Sequence, residues 1–182
     1  MRPTPGSQAR MVIAFASLAH CLHHIITALF LTIVLVLTAT WQRPYDELIA
    51  LWTLGAFLIG AVSPLAGYLS DKFGERPMMI ALFFGLGFSS IACGLVESPV
   101  GLQAALASMG VFGAIYHPVG TAWVVRHTGA SGKAVALVGS AGSVGVALAS
   151  LVAGLLTDAM SWRAAFIVPG VMALAGGAAL LV

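Results

Sequence analysis

The sequence predicts an all-α membrane protein: six transmembrane helices arranged as two inverted three-helix repeats. Three observations carry that prediction. First, 60% of the 182 residues are hydrophobic and only 8% are charged, against about 25% charged in an ordinary soluble domain. So few charges cannot cover the surface of a soluble protein of this size. Second, six apolar runs fill the chain, each close to the roughly 20 residues that cross a bilayer. Backbone in hydrocarbon must hydrogen-bond to itself, so these runs are helices. Third, a short charged hairpin recurs. Gly67, Leu69, Asp71 and Arg76 return 87 positions later as Gly154, Leu156, Asp158 and Arg163, the signature of an internal repeat.

The expected spans are residues 11–38, 48–70, 77–96, 101–125, 134–156 and 162–182, and the repeats are 11–96 and 101–182. The position of the charges says more than the net charge of +2. With the N-terminus cytoplasmic, Arg2, Arg10, Lys72, Arg76, Arg126 and Lys133 fall inside, and Arg43 and Arg163 fall outside. This is the positive-inside pattern, and it places both chain ends in the cytoplasm. The first run is too long for a signal-peptide core and has no convincing cleavage site. Cys21 and Cys93 both lie inside spans and read as small apolar residues rather than a disulfide.

Residues 1–9 read as a short disordered polar tail. The first span then carries His20, His23 and His24, whose spacing of three and four puts them within one arc of a helix. At 1.5 Å per residue they sit roughly 13–20 Å from the cytoplasmic end, near the bilayer middle. Thr27 continues that face. Such groups are costly against lipid, so the face looks into the bundle or a cavity. His23 and His24 point about a hundred degrees apart, at 3.6 residues per turn, so one of them packs against a neighbour.

Residues 38–47 are the first outer loop, where Trp41 and Tyr45 suit the interfacial aromatic belt. Pro64 frees a carbonyl in the second span and kinks it. Pro77 opens the third, where proline is welcome. In the fourth span Pro118 loosens the helix beside His117. His117 is roughly 12–13 Å from its cytoplasmic end, so it reaches the depth of His20 from a helix running the other way. Residues 126–133 form a basic inner loop, in which His127 is solvated. Gly139, Gly142 and Gly145 give the fifth span a smooth packing face. Ser161-Trp162-Arg163 opens the sixth.

Three helices per repeat is an odd number, so the second copy enters from the opposite side of the membrane. Inverted repeats around a midplane site are the architecture of secondary transporters. In each hairpin Gly67 or Gly154 is expected to permit close helix packing. Asp71 and Arg76, or Asp158 and Arg163, span the turn, and Gly74 takes a positive φ. If these charges reach a moving helix, the hairpin is a latch; otherwise it is a solvated turn that fixes topology.

The segment Gly67-Tyr68-Leu69-Ser70-Asp71-Lys72-Phe73-Gly74-Glu75-Arg76 resembles the loop 2–3 signature of the major facilitator superfamily, except at Glu75, where the family has a basic residue. That departure removes part of the expected inner charge network. Trp162-Arg163-Ala164-Ala165-Phe166 resembles the family's start of helix 6. The run from Gly139 to Gly145 is similar to the helix 5 motif of drug–proton antiporters but lacks its Gly-Pro element. The arginine usual in helix 4 is missing, since residues 101–125 carry no charge. Ala19-His20 and Tyr116-His117-Pro118-Val119-Gly120 resemble the fosmidomycin-resistance type of exporter. The resemblance implies half of a twelve-helix facilitator fold, here the N-terminal six-helix half without its C-terminal half. A fragment of a longer carrier is preferred to a genuine half-sized protein. It also implies a bacterial inner-membrane carrier working by alternating access, a proton-coupled exporter of a small organic compound. The alternative is a half-sized subunit that dimerises, or a non-transporting sensor or assembly partner.

The candidate cavity residues are therefore His20, His23, His24, Thr27, Tyr116 and His117. The gate residues are Gly67, Asp71, Lys72, Gly74 and Arg76, with Gly154, Asp158 and Arg163 as the outer copy. Asp46, Glu47, Asp71, Glu75, Glu97 and Asp158 all lie at helix ends or in loops. Proton coupling within these spans can then fall only to histidine near neutral pH. The competing reading is hydrogen-bonded packing histidines. A zinc or copper site is less favoured, because the imidazoles have no acid or thiolate beside them except Cys21, which points elsewhere. No catalytic residue, metal or cofactor is expected. The expected partners are membrane lipid, a small-molecule substrate, protons and a second six-helix half. No phosphate loop or basic aromatic surface for nucleic acid is present.

Overall fold

A computed structural model describes residues 5–182, with Pro5 by its backbone alone. Six helical segments are long and apolar enough to cross a membrane: Gly6–Trp41, Tyr45–Phe73, Glu75–Leu95, Pro99–Thr128, Gly132–Ala159 and Trp162–Leu181. The six expected spans are all present, and they form two inverted triplets. Their ends differ from expectation where polar residues continue a helix. Residues 5–9, read as disordered tail, are already helical, because the first helix starts at Pro5, a residue well suited to a first turn. Residues 1–4, including Arg2, lie outside the described residues. The outer loop shrinks to residues 42–44, where Gln42 takes φ 52°, and Tyr45–Ile49 adds a short helix before Trp52–Phe73.

Local sequence explains the boundaries. Ser98 and Ser161 cap the fourth and sixth spans by accepting from the backbone N–H groups of Gly101 and Ala164; such caps contribute about 1 kcal/mol each. Gly74 separates the second and third spans at φ 89°, a region open to glycine without steric cost. Gly129 and Ala130, at φ 61° and 58°, turn the fourth span into the fifth. Tyr116–Gly120 is π-helical around Pro118. Proline has no N–H to give the carbonyl four residues back. That carbonyl is Ala114's, and the Ser63 hydroxyl of the second span donates to it at 3.1 Å.

Packing repeats the inversion. The first span packs mainly on the fifth, the second on the fourth, and the third on the sixth. Exchanging the triplets turns the first pairing into the second and leaves the third unchanged. Two contacts set the closest approaches. A Cβ on Gly110 would strike the backbone of Gly55, and one on Gly145 would strike the backbone of Cys21. Gly110 follows Cys21 by 89 positions and Gly145 follows Gly55 by 90. They are one contact made once in each orientation, and glycine there removes the atoms that would hold the helices apart. Gly154 has no neighbour within 4 Å of a would-be Cβ, and Gly67 meets only Pro118 at an ordinary 3.7 Å. The expectation that these two glycines permit close packing is therefore corrected: neither takes part in a close helix contact.

Candidate functional site

The first and fourth spans bring four imidazoles together. His20, His23 and His24 come from the first helix and His117 from the π-helical segment. The His117 ring lies 5.4 Å from His20, 5.4 Å from His23 and 5.6 Å from His24, centroid to centroid. One turn apart on the first helix, Nε2 of His24 stands 3.2 Å from Nε2 of His20. Nδ1 of His20 is 2.8 Å from the Val138 carbonyl on the fifth span. A carbonyl only accepts, so this nitrogen carries the proton and Nε2 of His20 is left with its lone pair. Gly142 makes room for the ring, since a Cβ there would overlap it. The convergence expected of His20 and His117 is present.

The remaining cavity residues divide. His23 is buried, its ring against Gly113 and stacked 5.7 Å from Tyr116, and its Nδ1 has no hydrogen-bond partner. It is the histidine that packs against a neighbour. Thr27 is buried and its hydroxyl donates back to the His23 carbonyl at 2.8 Å, so it offers no free hydroxyl to a cavity. Tyr116 is also buried. Its ring stacks 4.3 Å from His20, and its hydroxyl donates to the Ala16 carbonyl at 2.9 Å. It is a platform behind the imidazoles rather than a polar cavity wall. His24 and His20 are half-buried and His117 is exposed. Behind His20 a cavity of about 90 Å³ lies between the first, fourth and fifth spans, lined by Tyr116, Thr121, Val124 and Val138.

At the end of the bundle carrying Gly74, the charges connect differently from expectation. Asp71 and Arg76 do not pair across their turn. Arg126, from the end of the fourth span, donates to Asp71 at 3.0 Å and to Glu75 at 2.7 Å. The acid at position 75, which departs from the family pattern, is thus half of a clamp on Arg126. Lys72 lies 5.4 Å from the centroid of the Phe73 ring. Arg76 instead reaches the last turn of the sixth span, donating to the Leu180 carbonyl at 2.8 and 3.2 Å.

At the opposite end, Arg163 donates to the Gly94 and Val96 carbonyls, both at 2.9 Å, and lies 4.4 Å over the Trp162 ring. Trp41 packs edge-on against Trp162 at 6.0 Å. Asp158 makes no ion pair among the described residues, so the outer copy keeps the arginine's role and not the aspartate's. The salt bridge at this end is Arg43 with Glu47. His127, expected in solvent, is half-buried with Nδ1 2.9 Å from the Trp123 carbonyl.

Sequence reasoning missed Arg126, Ser63 and Val138. The first reads only as part of a basic inner loop, and its separation from Asp71 and Glu75 follows no period that announces the pairing. The second follows from Pro118, whose carbonyl four residues back needs a donor. Val138 acts through its backbone, which no residue type announces. Cys21 and Cys93 are both free thiols, as expected.

The family model described as Major Facilitator Superfamily matches residues 16–182. Among curated proteins, a tetracenomycin C resistance and export protein of Streptomyces glaucescens is 31% identical over 71% of this chain and 26% of its own length. A multidrug resistance protein B homolog of Mycobacterium tuberculosis is 25% identical over 67% of this chain and 23% of its own. A putative metabolite transport protein of Escherichia coli is 29% identical over 73% and 29%. The chain spans about a quarter of the length of these relatives.

Proposed function

The chain belongs to the Major Facilitator Superfamily, and from that premise we propose that it is the N-terminal six-helix half of a proton-coupled exporter of a small organic compound. Its N-terminus faces the cytoplasm of a bacterial inner membrane. The observation that carries the reading is the convergence of His20, His24 and His117, whose ligand atoms all lie within 4.8 Å of one another. Ionisable groups at bilayer depth are expensive and mark transport pathways. No carboxylate lies within the described spans except near their ends. Imidazole is then the group able to take and release a proton near neutral pH. At 3.2 Å, one proton can bridge Nε2 of His24 and His20.

The second half meets this one along the second and fifth spans. Only 11% and 22% of their apolar windows are buried inside the chain, against 50–56% for the other four. These two spans are counterparts in the two repeats, which fits a partner half lying beside this one in the membrane, related to it by an axis along the membrane normal. Tetracenomycin C export and multidrug resistance, in the names of the relatives, support an organic substrate. Ala19-His20 and Tyr116-His117-Pro118 support the fosmidomycin-resistance type among the exporters. The Arg126 clamp on Asp71 and Glu75 is the cytoplasmic latch.

The test is efflux from cells carrying the complete carrier. His20→Ala and His117→Ala are expected to cut proton-driven efflux at least tenfold with membrane levels unchanged. Full efflux in both variants would remove the cavity assignment.

A further inference from the structure

We propose that His20, His24 and His117 form a binding site for one borderline divalent transition-metal ion, of the zinc, copper or nickel class. The expectation from the sequence was no metal, because the imidazoles have no acid or thiolate beside them except Cys21, which points elsewhere. In the structure one nitrogen from each of these three rings lies within 4.8 Å of the other two. A zinc–imidazole bond is about 2.0–2.1 Å, so two nitrogens on one tetrahedral ion stand about 3.3 Å apart. The Nε2 atoms of His20 and His24 are already 3.2 Å apart. The third nitrogen needs to close by at most about 1.5 Å to complete such a triangle. His117 can supply that closure: its side chain is exposed and its backbone is π-helical.

The surroundings fit a ligand set better than a packing cluster. The Val138 carbonyl holds Nδ1 of His20 at 2.8 Å, which fixes the proton there and aims the Nε2 lone pair into the triangle. Orienting a metal-binding histidine through its other nitrogen is the usual outer-shell device. Tyr116 stacks on the same ring at 4.3 Å and is itself anchored through its hydroxyl to Ala16, so the ring plane is held from behind. His23 lies outside the set, with Nδ1 against Gly113. Imidazole nitrogens without carboxylate oxygens select zinc, copper or nickel over magnesium and calcium. Three neutral ligands leave a fourth position open beside exposed His117, where water or an anion can offset the charge. In the metal-free chain the contact between His20 and His24 needs a proton between the two nitrogens. An ion at Nε2 of His24 shifts that proton to Nδ1 of the same ring, so the neutral imidazoles bind without net proton release and only an imidazolium must first give up a proton.

This site does not rest on the transport reading, because binding needs no turnover. The test uses the purified chain in detergent, free of any polyhistidine tag. Zinc is titrated calorimetrically, with magnesium as the hard-cation control. One zinc per chain and no magnesium uptake are expected. His24→Ala and His117→Ala are each expected to weaken zinc binding at least tenfold, and His127→Ala to leave it unchanged. Helical circular dichroism and elution volume report whether each variant is folded. The wild-type chain, loaded with one copper and with its histidines labelled with nitrogen-15, provides a readout independent of any variant. Nitrogen couplings from three imidazoles support the site. Absence of zinc binding, zinc binding indifferent to both substitutions, or fewer than three coupled imidazoles would overturn it.

Discussion

Arg76 and Arg163, 87 positions apart in the chain, perform the same task at opposite ends of one helix pair. Arg76, at the start of the third span, donates to the Leu180 carbonyl in the last turn of the sixth. Arg163, at the start of the sixth, donates to Gly94 and Val96 at the end of the third. Each helix end has carbonyls with no partner inside its own helix, and each receives a cation where the helix dipole favours one. The inversion read from the repeated hairpin is thus a reciprocal capping arrangement.

Arg163→Ala leaves two carbonyls without a charged donor and uncovers the Trp162 face. The expected loss is about 2 kcal/mol, from charge-assisted bonds worth roughly 1.5–3 kcal/mol less the share recovered by water. Unfolding in mild detergent measures it. Arg163→Lys is expected to recover only part, since an ammonium lacks the planar fork. A wild-type midpoint for Arg163→Ala would dissolve the capping account.

Gly110→Ala is expected to destabilise by about 1–3 kcal/mol, the usual cost of overpacking, because its new methyl meets the Gly55 backbone, not a movable side chain. Gly60→Ala, with open space around it, is expected to be neutral or to gain up to about 1 kcal/mol in helix propensity. Equal thermal shifts for the two variants would contradict the close approach.

Asp71→Asn removes one of the two acids on Arg126 and leaves Glu75 in place. Efflux by the complete carrier is expected to slow several-fold while substrate binding survives. The double variant with Glu75→Gln is expected to slow it further. If Asp71→Asn instead abolished insertion, the clamp would be a folding element and not a latch.

Tyr116→Phe is expected to lose about 1 kcal/mol with its single hydrogen bond to Ala16 while efflux persists, because the hydroxyl faces the backbone. A loss of efflux with stability intact would return Tyr116 to the cavity wall.

Six spans, the positive φ of Gly74 and the loosened helix at Pro118 were legible because each depends on local chemistry. Length and apolarity define a span, a charged turn between two spans calls for glycine, and proline cannot complete a helix. The meeting of His20 with His117 was legible from depth alone, since antiparallel helices of known ends align their middles. Hydroxyl directions were not. Thr27 and Tyr116 carry cavity-type groups, yet both satisfy backbone carbonyls that sequence spacing does not display. Nor was the Arg126 clamp, whose members lie 55 and 51 positions apart and obey no helical or repeat period. The aspartate's role failed to repeat because Ala39, 87 positions before Arg126, carries no charge.

Sidedness of Asp71 and Asp158 tests the inverted triplets most directly. Each is replaced singly by cysteine in a chain with Cys21 and Cys93 changed to alanine, and sealed cells are exposed to a membrane-impermeant maleimide. The account predicts that position 158 labels in intact cells and position 71 only after the membrane is opened. Labelling of both positions from the same side would contradict it.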